Sequence, residues 1–221
     1  ICVDHHMTEK YFCDYNYVDP AEAATGQIIY QLLKELGAEP DPAEGEAIYA
    51  AIATDTGDFT YSNTQKKSHQ IVAELYDWGC DFNKVSVEIY ENVRVEKIRM
   101  HAGAMETLRL IGGGKGALVS VTQKLLADTG AKMDESEGLA QDLRSISGVE
   151  FAAVLKEYGP ENIRVSFRAK RLGNVAEIAA NLGGGGHLKA AGCTIKAPMA
   201  RAEAMVEKEI LKAIERLETD E

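Results

Sequence analysis

Apolar positions in the first half of the chain fall mostly at helical spacing. Ala24, Ile28, Leu32 and Leu36 recur every fourth residue between Ala21 and Leu36, and Gly37 follows where a helix ends in a left-handed turn. A second helix is expected from Pro42 to about Thr54, with Asp41 as N-cap and Pro42 at its first position. A third runs from Thr64 to Trp78 and stops at Gly79. Phe82 to about Leu110 reads as one or two further helices. Ahead of them, residues 1–4 read as the end of a buried strand and Tyr11–Pro20 as a polar loop.

The pattern changes after residues 111–116 (IGGGKG), a flexible punctuation that reads as the domain boundary. Ala117–Val121 reads as a strand and Ser136–Arg144 as a short helix. Glu150–Tyr158 and Asn162–Arg168 form a hairpin around the turn at Gly159 and Pro160. Val175–Leu182 is a helix that ends in four glycines, Cys193–Ile195 a short strand, and Met199–Leu217 an amphipathic helix. Helices and strands mix in both halves, so the class is α/β.

Composition narrows the field. With 45% apolar and 27% charged residues in 221, the chain is neither collagenous nor disordered. Its longest uncharged stretches fall short of the roughly 20 apolar residues of a spanning helix, so no membrane span is expected. A net charge of −11 argues against duplex DNA as a partner. That charge is uneven: residues 1–110 carry 9 Lys and Arg against 19 Asp and Glu, whereas residues 111–198 carry 11 against 9. One reading is a metal site in front and an anion-binding surface behind. Cys2, Cys13, Cys80 and Cys193 form no CxxC pair, which fits free thiols in a reduced, cytoplasmic setting. The chain opens inside what reads as a strand, so an N-terminal truncation is expected.

Three segments carry chemistry. Asp4, His5 and His6 directly follow a strand, and carboxylate with imidazole suits a divalent transition metal. Neighbouring strand residues point to opposite faces, so one histidine is expected as a metal ligand and the other as a substrate contact. Residues 54–59 (TDTGDF) place Asp55 at the edge of a packed apolar helix, where its carboxylate could bridge two metals; Asp58, beyond Gly57, is expected to face solvent. Gly183, Gly184, Gly185 and Gly186 precede His187 and Lys189, and a turn without Cβ atoms lets backbone N–H groups approach a phosphate. Strand alternation puts Arg164, Ser166 and Arg168 on one face beside it. His69 and His101 lie in helical patterns and read as structural or surface residues.

Taken together and in this order, VDHH at residues 3–6, TDTGDF at 54–59 and GGGGHLKAAG at 183–192 resemble the DHH phosphoesterase family with its DHH-associated C-terminal (DHHA1) domain, in its compact oligoribonuclease and 3′-phosphoadenosine 5′-phosphate phosphatase branch. The resemblance implies the remainder of a parallel-sheet DHH domain at 1–90, a helical linker at 91–115, and a smaller mixed α/β substrate-binding domain at 116–221. It implies two-metal hydrolysis with two Mn²⁺ ions, acting on short oligoribonucleotides or nucleoside 3′,5′-bisphosphates. It maps His5 and Asp55 to metal ligation and His6 to the scissile phosphate, with Asp4 supporting the site. Gly183–Gly186 and His187 would hold the far end of the substrate, with Arg168 and Ser166 helping. Asn174 stands where relatives often carry Asp.

The family's first motif, a His-x-x-x-Asp-x-Asp run, and its second-motif Asp are not in this sequence. The expectation is therefore a chain that is inactive as given, cut from an active parent, with weak metal binding and a homodimer as the expected assembly. A cyclic-dinucleotide phosphodiesterase and a non-catalytic nucleotide- or RNA-binding module are the alternatives.

Overall fold

The computed structural model describes residues 1–6, 13–38 and 40–219. It divides into two compact units, Ile1–Asn92 and Val93–Glu221.

The first unit sets two short strands, β1 (Cys2–Asp4) and β2 (Asn16–Val18), in parallel, with Asp4 opposite Val18. Helices α1 (Thr25–Glu35), α2 (Pro42–Asp55), α3 (Lys66–Asp77) and α4 (Phe82–Ser86) follow, and a π-helical turn continues over Val87–Glu91. The start of α2 is fixed by a reciprocal capping box. The Asp41 carboxylate accepts the Glu44 N–H, and the Glu44 carboxylate accepts the Asp41 N–H. Tyr30, Ile48, Tyr49, Ile52, Ile71, Leu75 and Phe82 form the core. Gly26 lets α1 lie close against α2, since a Cβ there would stand 2.9 Å from that of Ala51.

The second unit is built on a six-stranded sheet in the order β3-β4-β5-β6-β8-β7. Its strands are β3 (Arg109–Ile111), β4 (Gly116–Val121), β5 (Phe151–Gly159), β6 (Asn162–Ala169), β7 (Gly185–His187) and β8 (Ala190–Ile195). Every pairing is antiparallel except β4 with β5. Helices α8 (Val175–Asn181) and α9 (Met199–Thr219) belong to one face, where Leu155, Ile163, Phe167, Ile178, Val206 and Ile210 are buried together. On the other face, α5 (Val95–Met105), α6 (Gln123–Thr129) and α7 (Leu139–Ser145) bury Met100, Val119, Leu126, Leu143 and Val154. That second core takes residues from β4 and β5 and none from β6 or β8. The corresponding side of β6, β8 and β7, where Arg164, Thr194, Gly185 and His187 are exposed, adds no described residue to that core and forms an open face.

The mixed α/β class holds, and several local expectations change. Tyr11 and Phe12 lie outside the described residues, and within the expected loop Asn16–Val18 is a strand. The stretch Phe82–Leu110 is helical only to Met105, after which Arg109–Ile111 joins the sheet. The run 111–116 is the tight turn between β3 and β4, so it lies within the second unit. The expected linker 91–115 likewise contributes α5 and β3 to that unit. Helix α6 was not expected from the sequence.

Candidate active site

In the first unit, β1 delivers Asp4, His5 and His6 to the end of its short sheet. The Asp4 carboxylate accepts the N–H groups of His5 (2.7 Å) and His6 (3.1 Å), and Nδ1–H of the His6 ring (2.9 Å). The bond from the His6 side chain is the main reason that Asp4 is held down at about 2. Donor atoms of Asp4, His5 and His6 all lie within 4.8 Å of one another.

His5 is the better-defined ligand. Its Nδ1 lies 3.2 Å from the Glu22 carbonyl oxygen, which can only accept, so Nδ1 carries the proton and Nε2 presents its lone pair. Nε2 is buried and has no hydrogen-bond partner, yet it stands 3.4 Å from Oδ2 of Asp55. An imidazole nitrogen and a carboxylate oxygen at that distance are donors that a shared divalent cation would take. The backbone bond at the other ring nitrogen is the usual support for a metal-ligating histidine.

Asp55 reinforces this picture. It is the last residue of α2, where converging carbonyl groups repel a carboxylate and attract a cation. Its position is set by a tight turn. The Thr56 hydroxyl donates to the Ile52 carbonyl and accepts the Phe59 N–H, and Asn63 donates to the Asp55 carbonyl. Asp58 and Phe59 take left-handed backbone conformations, which stores strain at this turn. Asp58 is exposed, as expected.

Beneath His5 lies a polar network that the sequence did not reveal. The Glu22 carboxylate accepts from Gln27 (2.5 Å), Gln31 (3.0 Å) and Lys67. Gln27 is fully buried and accepts from the Ser68 hydroxyl (2.5 Å). The only trace in the sequence is one glutamine among the inward positions of α1.

In the second unit, register assembles the anion-facing residues. His187 pairs with Ala190, and Ala190 with Arg168, so His187 and Arg168 share the open face. One row along, Gly185 pairs with Gly192 and Gly192 with Ser166. The next row sets Thr194 beside Arg164, whose guanidinium lies over the Tyr158 ring.

The four glycines divide their tasks. Gly183 follows α8 at φ +78°, and a Cβ on Gly186 would stand 2.5 Å from Cα of Ala191. A Cβ on Gly184 would run into the Gly192 carbonyl oxygen and lie 2.5 Å from that of Cys193. Within β7, Gly185 opens on free space. So the expected glycine loop is in part a strand packed tightly on β8. Lys189, expected to add charge to it, instead donates to the carbonyls of Arg171 and Gly173. The Glu150 carboxylate accepts the N–H groups of Arg171, Leu172 and Gly173 at 2.8 Å each, so both sides of that segment are pinned. Asn174 caps α8 through its side chain. His69 stacks on Phe59, and His101 donates from Nε2 to the Glu135 carbonyl, which are structural roles. Among the described residues, no helix is long and apolar enough to cross a membrane.

An imidazole and a carboxylate side by side in the first unit, and a sheet face bearing Arg and His beside a bare glycine in the second, are residue types suited to metal-assisted phosphoester chemistry. Comparison with known proteins agrees. Residues 113–219 match the DHHA1 domain. The bifunctional oligoribonuclease and PAP phosphatase NrnA of Thermus thermophilus is 31% identical over 89% of this chain and 58% of its own length. Its namesake in Bacillus subtilis is 30% identical over 87% of this chain and 61% of its own. A solved exopolyphosphatase-related protein from Bacteroides fragilis superposes with a TM-score of 0.90 at 26% identity, over 98% of this chain and 64% of that one. Residues 113–219 belong to the DHHA1 domain family, and over most of its length the chain is similar to oligoribonuclease and PAP phosphatase relatives. It spans about three fifths of the length of these relatives.

Proposed function

We propose that this chain belongs to a manganese-dependent phosphoesterase that cleaves short oligoribonucleotides or removes a phosphate from nucleoside 3′,5′-bisphosphates. The observation that supports this most is the buried Nε2 of His5, which has no hydrogen-bond partner among the described residues and faces the Asp55 carboxylate. His5 and Asp55 would hold the cation. When bound, divalent ions would supply an activated hydroxide and stabilise the oxygens of the displaced group.

The chain's own residues do the positioning. The Glu22 carbonyl locks the His5 tautomer. Asp4 fixes the orientation of the His6 ring through Nδ1–H, and His6 would contact the scissile phosphate. Arg168, Ser166 and His187 share one face around Gly185 and would bind the nucleotide end, with Arg168 as the charge-assisted donor. Two ions need more donors than His5 and Asp55 alone offer.

The test is release of mononucleotide from a short oligoribonucleotide as Mn²⁺ is added, in the full-length protein and in its Asp55→Asn variant. Loss of turnover with retained nucleotide binding supports the reading. Unchanged turnover overturns it.

A further inference from the structure

Between β2 and α1 the chain presents three successive carbonyl groups, and a different side chain donates to each. The Ala21 carbonyl accepts from Nε2 of Gln65 (2.6 Å), the Glu22 carbonyl from Nδ1 of His5 (3.2 Å), and the Ala23 carbonyl from Nδ2 of Asn63 (3.2 Å). The same amide of Asn63 makes a second bond, to the Asp55 carbonyl at 3.1 Å. A carbonyl oxygen can only accept, so the amide nitrogen faces both neighbours and both of its hydrogens are used. One side chain therefore grips Asp55 at its own backbone and, 40 residues earlier in the chain, the residue next to the carbonyl that orients His5. The segment that carries Asn63 is itself anchored. Gln65 opens α3 in a reciprocal cap with Ser68, and the Ser68 hydroxyl donates to the buried Gln27. Asn63 is exposed, so removing its amide empties no core site.

We propose that Asn63 is a positioning residue for the cation site: by tying the loop behind His5 to the end of α2, it sets the separation of the His5 and Asp55 donors. This rests on the reading that His5 and Asp55 share a cation, and it names what holds them in register. His5 leaves the end of β1 and Asp55 ends α2, yet Nε2 and Oδ2 stand 3.4 Å apart. Each donor sits on a segment that Asn63 holds by a backbone carbonyl. Without the amide, the Asp55 turn and the Ala21–Ala23 loop each lose a bond to the other's neighbour, and the two donors can drift apart. A cation must then bring them together at the expense of its own affinity.

The test is titration of the full-length protein with Mn²⁺ in the absence of substrate, read by the electron paramagnetic resonance signal of the free ion. Asn63→Ala is expected to weaken Mn²⁺ binding about tenfold, the scale on which groups behind metal ligands act. Asp41→Ala is the matched control. It removes the N-cap at the opposite end of α2 and should lower the melting temperature by about 5 °C, while Mn²⁺ affinity stays within about twofold of wild type. If the alanine variant at Asn63 does not fold, Asn63→Ser, which keeps one donor, takes its place with a loss of about threefold expected. Wild-type affinity in the folded Asn63 variant overturns the positioning role, as does an equal loss in Asp41→Ala. His5→Ala separates the two failures. If it weakens Mn²⁺ binding while the Asn63 variant does not, the cation site stands and the positioning role falls. Unchanged affinity in His5→Ala overturns the cation reading and the positioning role together.

Discussion

Gly184 and Gly185 are adjacent, and replacing each with alanine should have opposite consequences. A Cβ on Gly184 meets the Gly192 carbonyl oxygen and the Cβ of Cys193, both on β8. A backbone oxygen cannot rotate away, so β7 must lift from its partner or the core beneath Cys193 must shift. Overpacking of this kind costs about 1–3 kcal/mol. Releasing three paired residues costs about the same at roughly 1 kcal/mol per hydrogen bond. Either route lowers stability by about 2–3 kcal/mol, and a unit of this size then melts roughly 10 °C lower. A methyl group placed on Gly185 would meet no heavy atom within 4 Å, so Gly185→Ala should melt within about 2 °C of wild type. That methyl would project onto the open face. If a phosphate lies there, it should weaken nucleotide binding by about 1–3 kcal/mol, or roughly 5- to 150-fold. Differential scanning calorimetry and titration with adenosine 5′-monophosphate read the two effects. A Gly184→Ala variant as stable as wild type refutes the packing of β7 on β8. A stable Gly185→Ala variant with undiminished affinity refutes the open face as the nucleotide site.

Other outcomes are equally specific. Gln27→Leu strands the Ser68 hydroxyl and removes a donor from the Glu22 carboxylate, at a cost of about 2 kcal/mol; thermal melting should show the first unit unfolding roughly 10 °C lower. The same variant loosens the support of His5 and should weaken Mn²⁺ binding about tenfold, which calorimetry would detect. Burial pushes the Cys193 thiol from an ordinary 9.0 up to about 11. Its protonated form is thus favoured in the fold, and the second unit should lose stability as pH rises from about 9 to about 11, as denaturant melts across that range would show. Reaction of Cys193 with a thiol reagent near pH 8 should accordingly follow unfolding rather than precede it.

The parts of the fold legible in the sequence are those with a local chemical signal. Helix α2 announced itself through Asp41 and Pro42, and the structure adds Glu44, which closes a capping box with Asp41. The hairpin β5–β6 followed from its alternation and its turn. Strand β2 gave no such signal, because Asn16 and Tyr17 are exposed and it is only three residues long. Strand β7 is Gly-Gly-His, which reads as a loop in any propensity argument; its close approach to β8 depends on the missing Cβ of Gly186, which would stand 2.5 Å from Cα of Ala191. Helix α6 had a Thr122 cap and Gly130 at its end, but buries only Leu126 and so lacked a periodic stripe. At the site, residue types pointed to His5, Asp55 and Arg168, whereas their orientation came from tertiary contacts. The Glu22 carbonyl that fixes His5 is a backbone group and leaves no mark on the sequence. Lys189 follows the glycine run and Lys156 lies on β5. Only the structure shows that one is bonded to Arg171 and Gly173 while the other lines a cleft.

The most direct test of the central claim is Mn²⁺-dependent hydrolysis of a short oligoribonucleotide by the full-length protein and its His5→Ala variant. The variant removes a buried side-chain nitrogen that, among the described residues, has no hydrogen-bond partner and faces Asp55. The account predicts that turnover falls by about 100-fold or more and that the metal concentration needed for half activity rises, because a ligand and not a packing residue has been lost. Full turnover at the same Mn²⁺ concentration in the variant would contradict it.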